Sequence, residues 1–67
     1  MNLTINGQIQ ELPNSVSSLA DLLQHLGLGG KPVVVERNHQ AMPPSTHATI
    51  VLTEGDVLEI VTISAGG

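Results

Sequence analysis

The chain has 67 residues, a formal net charge of −4, and neither cysteine nor any aromatic residue. That length predicts one small domain over residues 1–67, too small for a deep cleft walled on all sides. The missing cysteines exclude disulfides, thiolate metal sites and thiol nucleophiles. Two basic residues, Lys31 and Arg37, face six acidic ones, and no ring is present on which a base could stack, so nucleic acid is excluded as a partner.

A secreted domain of this length would ordinarily carry disulfides, so a cytoplasmic protein is expected. Met1 is followed by NLTING, which has neither a basic start nor a long apolar run. No signal peptide and no membrane span are predicted. The acidic balance suits a basic protein partner, as well as plain solubility.

In chain order, NLTINGQIQEL predicts a β-hairpin. Leu3 and Ile5 alternate with Thr4 and Asn6, Ile9 and Leu12 follow, and Asn6-Gly7 supplies a two-residue turn with positive φ at both positions. Pro13 and Asn14 close the second run. SVSSLADLLQHLG predicts the one helix, with Leu19, Leu22, Leu23 and Leu26 on one stripe. Ser18 and Asp21 have capping-box spacing, Ser17 is a rival cap, and Gly27 stands where a left-handed C-terminal cap is wanted. Such a short helix must lie on a sheet.

GLGGKP is a loop. It is not a phosphate-binding loop, because His25 stands where that motif needs its first glycine and Pro32 where it needs Ser or Thr. VVVER is a third strand, and NHQAM a turn and short strand stopped by Pro43-Pro44. STHATIVL predicts a helical turn around Ser45 to Ala48 and an extended approach to Leu52. EGD at 54–56 is a tight turn, and VLEIVTI at 57–63 is a final strand rich in β-branched residues.

One helix with one leucine face covers one side of a mixed sheet. The predicted fold is α+β: a mixed four- to five-stranded sheet packed on one α-helix, with the first and last strands parallel at its centre. This is the β-grasp, ubiquitin-like arrangement. It turns Leu58 and Ile60 toward the helix. Glu59, Val61 and Ile63 then lie on the open face, with Val34 beside them. Residues 63–67 are expected to form a flexible C-terminal arm.

The polar residues offer little catalytic chemistry. His25, His39 and His47 lack the spacing of a metal site and are expected to be exposed. Ser45 and His47 have no acid beside them for a nucleophile triad. Glu54, Asp56 and Glu59 are expected to serve the turn and a solvated, partner-facing edge. No pocket-forming residues or acid–base pair are evident, which argues against an independent enzyme.

The tail is more informative. At average glycine usage a given pair of positions is Gly-Gly in roughly 0.5% of chains, so chance is a poor account of Gly66-Gly67. Without side chains, Gly66-Gly67 can thread a narrow channel in a partner. The carboxylate of Gly67, ionised above a pKa of about 3.5, is a poor electrophile and needs activation, most simply as an acyl-adenylate. A sulfur or nitrogen nucleophile can then displace the adenylate. The rigid sheet becomes a handle and Gly67 the cargo site.

VVVERN at 33–38, MPPS at 42–45, LTEGDVLEIV at 52–61 and the final Gly-Gly together resemble the ThiS family of sulfur carriers, along nearly the whole chain. The resemblance implies that Gly67 is adenylated by a ThiF-type enzyme that uses ATP, and that no cofactor is bound by the carrier itself. The adenylate is then converted to a thiocarboxylate with sulfur that usually derives from cysteine. Thiazole synthase, ThiG, takes up that sulfur in thiamine thiazole biosynthesis. Gly66, Ala65, Ser64, Ile63, Val61 and Glu59 would contact the partners, and the free carrier would be a monomer.

Pro43-Pro44 stands where the family often has Pro-Arg, so any contact made by that arginine is not carried over. Two alternatives remain at this level. The small subunit of molybdopterin synthase shares the fold and terminal glycines, but often has aromatic and proline residues where this chain has IVTIS. A non-catalytic ubiquitin-like binding module would have an inert tail, so loss of Gly67 would leave it working.

Overall fold

The computed structural model describes residues 1–63. It contains β1 (Asn2–Ile5), β2 (Gln8–Glu11), α1 (Leu19–His25), β3 (Val33–Arg37), β4 (Gln40–Ala41), a 3-10 turn (Pro44–Thr46) and β5 (Val57–Thr62). The five strands form one mixed sheet in the order β2-β1-β5-β3-β4. β1 and β5 pair in parallel, through Thr4 with Val57 and Ile5 with Leu58, and every other pairing is antiparallel. This is the predicted β-grasp architecture, with five strands.

The first hairpin forms because its turn chemistry fits. Ile5 pairs with Gln8, and the two residues between them, Asn6 and Gly7, have φ of 50° and 82°. Those values match the right-handed twist of the flanking strands. Asn6 has a second task. Its Nδ2 donates to the Ile60 carbonyl at 3.0 Å and its Oδ1 accepts from the Ile60 N–H at 2.8 Å. One side chain thus continues the parallel pairing past the end of β1.

The helix is held at both ends. The Ser18 hydroxyl accepts from the Asp21 N–H at 3.0 Å, while the Asp21 carboxylate accepts from the Ser18 N–H at 3.0 Å. This is the predicted capping box. Ser17 is not the cap; its N–H and hydroxyl donate to the same carboxylate. The backbone hydrogen bonds from Ser18 and Ser17 hold the Asp21 pKa below its ordinary value. At the other end Gly27 has φ 77°, with Gly27 N–H on the Gln24 carbonyl and Leu28 N–H on the Leu23 carbonyl. That bond pair is a Schellman motif, and Leu28 packs against the core as the motif favours.

Leu19 and Leu22 are fully enclosed and share one core with Leu3, Val35 and Leu58. Each fully buried leucine of this kind contributes about 2 kcal/mol, and a short helix needs that packing to persist. The segment after β4 departs from expectation. The turn predicted around Ser45–Ala48 is a 3-10 turn over Pro44–Thr46. Pro44 opens it with a preset φ, and Thr46 Oγ1 donates to the Pro43 carbonyl at 2.7 Å. The chain then reaches Leu52 alongside the start of the helix, where Leu19 N–H meets the Ile50 carbonyl and Leu52 N–H meets the Ser17 carbonyl.

Two polar residues expected at the surface are buried instead. His47 is enclosed, with Nε2 2.8 Å from the Met42 carbonyl. That backbone partner removes the cost of burying the ring nitrogen. His25 and His39 are exposed as expected. Asp56, predicted to serve the turn and a solvated edge, does serve the turn, accepting from the Thr53 N–H and hydroxyl, but it is 5% exposed and also accepts from Arg37 Nε and Asn38 Nδ2. Burial by itself raises its pKa, but those hydrogen bonds outweigh it and hold the carboxyl below the ordinary value of 3.8.

Candidate functional site at the end of the last strand

Alternation along β5 divides the strand between core and solvent. Leu58 and Ile60 are buried, as predicted. Val57, Glu59, Val61 and Ile63 face solvent, and Val61 is 60% exposed. Pairing with β3 sets Val61 beside the exposed Val34, and Glu59 opposite Glu36. The structure therefore brings Glu59 and Val61 onto one face with Val34, whereas Ile63, beyond the end of β5, borders a groove lined by Leu23 and Gln24 of the helix. Glu36 completes this row, and sequence reading missed it. The signal was available, since Glu36 lies two residues beyond Val34 and successive even positions of a strand share a face.

The strand has a defined end. Beyond Thr62, the Ile63 N–H donates to the Pro32 carbonyl at 3.0 Å. This bond fixes where the chain leaves the sheet. Ser64, Ala65, Gly66 and Gly67, singled out from the sequence, and with them most of the arm predicted over 63–67, lie outside the described residues.

Next to Ile63 is an open groove of about 620 Å³. Leu23, Leu28, Pro32, Val33 and Pro44 give it apolar walls, with Lys31, Gln24 and His47 as its polar members. The expectation that no residues form a pocket is thereby corrected: the Schellman turn and the Gly29-Gly30-Lys31 loop stand off the sheet and leave this space. Among the described residues the lining contains no carboxylate. His47, its one imidazole, already has Nε2 on a carbonyl, so no acid–base pair converges there.

The acidic trio read from the sequence is not a cluster. Glu54 accepts from the Asn2 N–H at 2.9 Å, Asp56 is enclosed in its own network, and Glu59 lies on the open face. Among the described residues no group of three or more His, Asp or Glu comes together as a metal site. No described helix is long and apolar enough to cross a membrane.

Comparison with known proteins gives a consistent result. A family model described as the ThiS family matches residues 3–67. The sulfur carrier protein ThiS of Bacillus subtilis is 32% identical over 65 residues, which cover 97% of this chain and 98% of that protein. A thiazole synthase of Paramagnetospirillum magneticum is 40% identical over 67 residues; the chain matches in full but spans only 20% of that protein's length. The crystal structure of the thiamine biosynthesis protein ThiS from Geobacter metallireducens superposes with a TM-score of 0.82 at 28% identity, with both chains covered in full.

Proposed function

The chain belongs to the ThiS family, the sulfur carriers of thiamine biosynthesis, and we propose that it carries sulfur as a thiocarboxylate on Gly67 and delivers it to a thiazole synthase. The observation that carries this reading is the family match, which runs through the Gly-Gly pair to residue 67. The Gly67 carboxylate attacks the α-phosphorus of ATP on a ThiF-type enzyme and expels pyrophosphate. Hydrosulfide, or its enzyme-bound equivalent, then adds to the acyl carbon and expels AMP, leaving the thiocarboxylate.

In this reading the chain is a cosubstrate. Partner enzymes supply the catalysis, and Ser64, Ala65 and Gly66 present the acyl group to them. ATP-dependent activation fits a cytoplasmic protein. The Paramagnetospirillum protein supports thiazole synthase as the recipient, because a region 40% identical to this chain lies within a protein of that name. The Bacillus and Geobacter relatives favour the thiamine carrier over the molybdopterin synthase subunit.

The test is incubation with a ThiF-type enzyme, ATP and sulfide, followed by intact-mass and peptide analysis. One oxygen should be replaced by sulfur, on the peptide that contains Gly67. Gly66→Val should fold normally and lose most of this conversion, because a β-branched residue both widens and stiffens the arm. Sulfur on another peptide would defeat the proposal.

A further inference from the structure

The groove beside Ile63 opens where the described chain ends. Ile63 is part of its lining, and the bond from the Ile63 N–H to the Pro32 carbonyl fixes the exit of the chain there. Leu23 of α1, Leu28 of the loop after it and Val33 of β3 make its walls apolar. The Gln24 side chain lies along the wall against Gly29, in the space that a Cβ on Gly29 would take. The charge of the groove is one-sided. Lys31, the one lysine of the chain, lines it, and among the described residues no carboxylate does. The other basic side chain, Arg37, is bonded to Asp56.

We propose that this groove receives the chain's own C-terminal segment, with Ala65 against its apolar wall and the Gly67 carboxylate on Lys31. The consequence for activation rests on the carrier reading above. Three features name this occupant. The first is reach: four residues follow Ile63, an extended span of at most about 14 Å, and Lys31 immediately precedes the Pro32 that Ile63 bonds. The carboxylate can therefore turn back to the ammonium group with chain to spare. The second is size. Ser64-Ala65-Gly66-Gly67 carries no large side chain, and its glycines permit the bend. The third is charge, since the segment ends in an anion and the groove offers a cation with the Gln24 amide as a further donor. A thiocarboxylate keeps the single negative charge, so the groove takes the loaded carrier as well as the empty one. A docked tail is withdrawn from the activating enzyme, whose apparent affinity for the carrier falls by the fraction of chains that are open. An exposed ion pair with a few apolar contacts is weak, so the groove tunes activation and does not block it.

The experiment is NMR on the full, isotope-labelled chain, comparing wild type with Lys31→Gln and with Ala20→Leu, which fills the groove from the helix side. In wild type the Ala65 methyl should show nuclear Overhauser contacts to the Leu23 or Leu28 methyl groups, and the Gly67 amide should shift as salt is added. Both variants should lose those contacts while the amide shifts of the sheet stay in place, which shows that the fold survives. Thiocarboxylate formation is then followed by intact mass with a ThiF-type enzyme, ATP and sulfide. Each variant should lower the KM for the carrier about threefold at unchanged kcat. Absence of tail-to-groove contacts in wild type would overturn the proposal. So would contacts that vanish on dilution, which would put the tail of a second copy in the groove. A KM that rises in Lys31→Gln would make Lys31 a contact of the enzyme and overturn it as well. A wild type that shows the contacts but acquires no thiocarboxylate would remove the carrier reading, while the contacts themselves still support the docked tail.

Discussion

The two rows of the last strand have similar composition and opposite fates. The inner row, Asp56, Leu58 and Ile60, is buried; the outer row, Val57, Glu59, Val61 and Ile63, is exposed. Both rows mix β-branched or aliphatic residues with one acid, so hydrophobicity alone does not separate them. What separates them is the partner. The inner row meets the leucine stripe of α1, and its acid meets Arg37, Asn38 and Thr53. The outer row has no buried partner: Val61 and Glu59 lie beside the exposed Val34 and Glu36, and Ile63 borders the open groove. An acid with four donors aimed at it strengthens a fold, and an acid facing another acid does not.

Substitutions on the two rows should therefore diverge, and the widest effect is expected at Leu58. Leu58→Ala empties a fully buried position and should cost about 3 kcal/mol, read as a lower urea midpoint. In a domain of this size that lowers the melting temperature by roughly 12–24 °C. A loss below about 1 kcal/mol would show that the inner row is less tightly packed than its burial suggests.

Asp56→Asn comes next. It keeps the shape but removes the charge that Arg37 answers, and about 2 kcal/mol should be lost at neutral pH. The pH dependence has a defined sign. The folded-state pKa lies below the ordinary 3.8, so this stabilisation is complete well above that value and is lost as pH falls through it. Wild type should lose stability on acidification below about pH 4, and the variant should lose less of it. Asp21, depressed by the helix cap, acts in the same direction and leaves a residual slope.

The smallest stability effect belongs to the outer row. Val61→Asp should cost no more than about 1 kcal/mol, from the lost Val34 pair and the poor strand propensity of aspartate, because Val61 is largely exposed. Circular dichroism should be unchanged, while a titration should show weaker binding to thiazole synthase. A variant that unfolds would erase the distinction between the two rows.

Most of this division was legible in the sequence because strand periodicity is a local property. Leu58 and Ile60 against Val61 and Ile63 follow from alternation and from a leucine stripe that had to be covered. The Asn6-Gly7 turn and the Ser18–Asp21 cap are equally local. His47 and Asp56 were misplaced because their burial depends on partners brought from elsewhere, the Met42 carbonyl and the Arg37–Asn38 corner. Spacing alone does not reveal such satisfaction. Thr53 and Asp56 do repeat the three-residue spacing of Ser18 and Asp21, which was a usable sign that Asp56 would turn back on its own backbone. The groove beside Ile63 was missed for a similar reason, since it is a space left between elements rather than a property of any one of them.

Asn6 reaches across 54 positions to bond Ile60, and the strands on either side of that contact come from opposite ends of the described chain. During synthesis the first hairpin and the helix are made before β5. Until then the centre of the sheet is missing, and Leu3 and Ile5 have no neighbour on that side. Contacts so distant in sequence also make closure slow relative to local folding. The carrier therefore becomes a rigid handle only after translation has passed its final strand. A chain that stops before β5 would lack the strand that joins the two halves of its sheet.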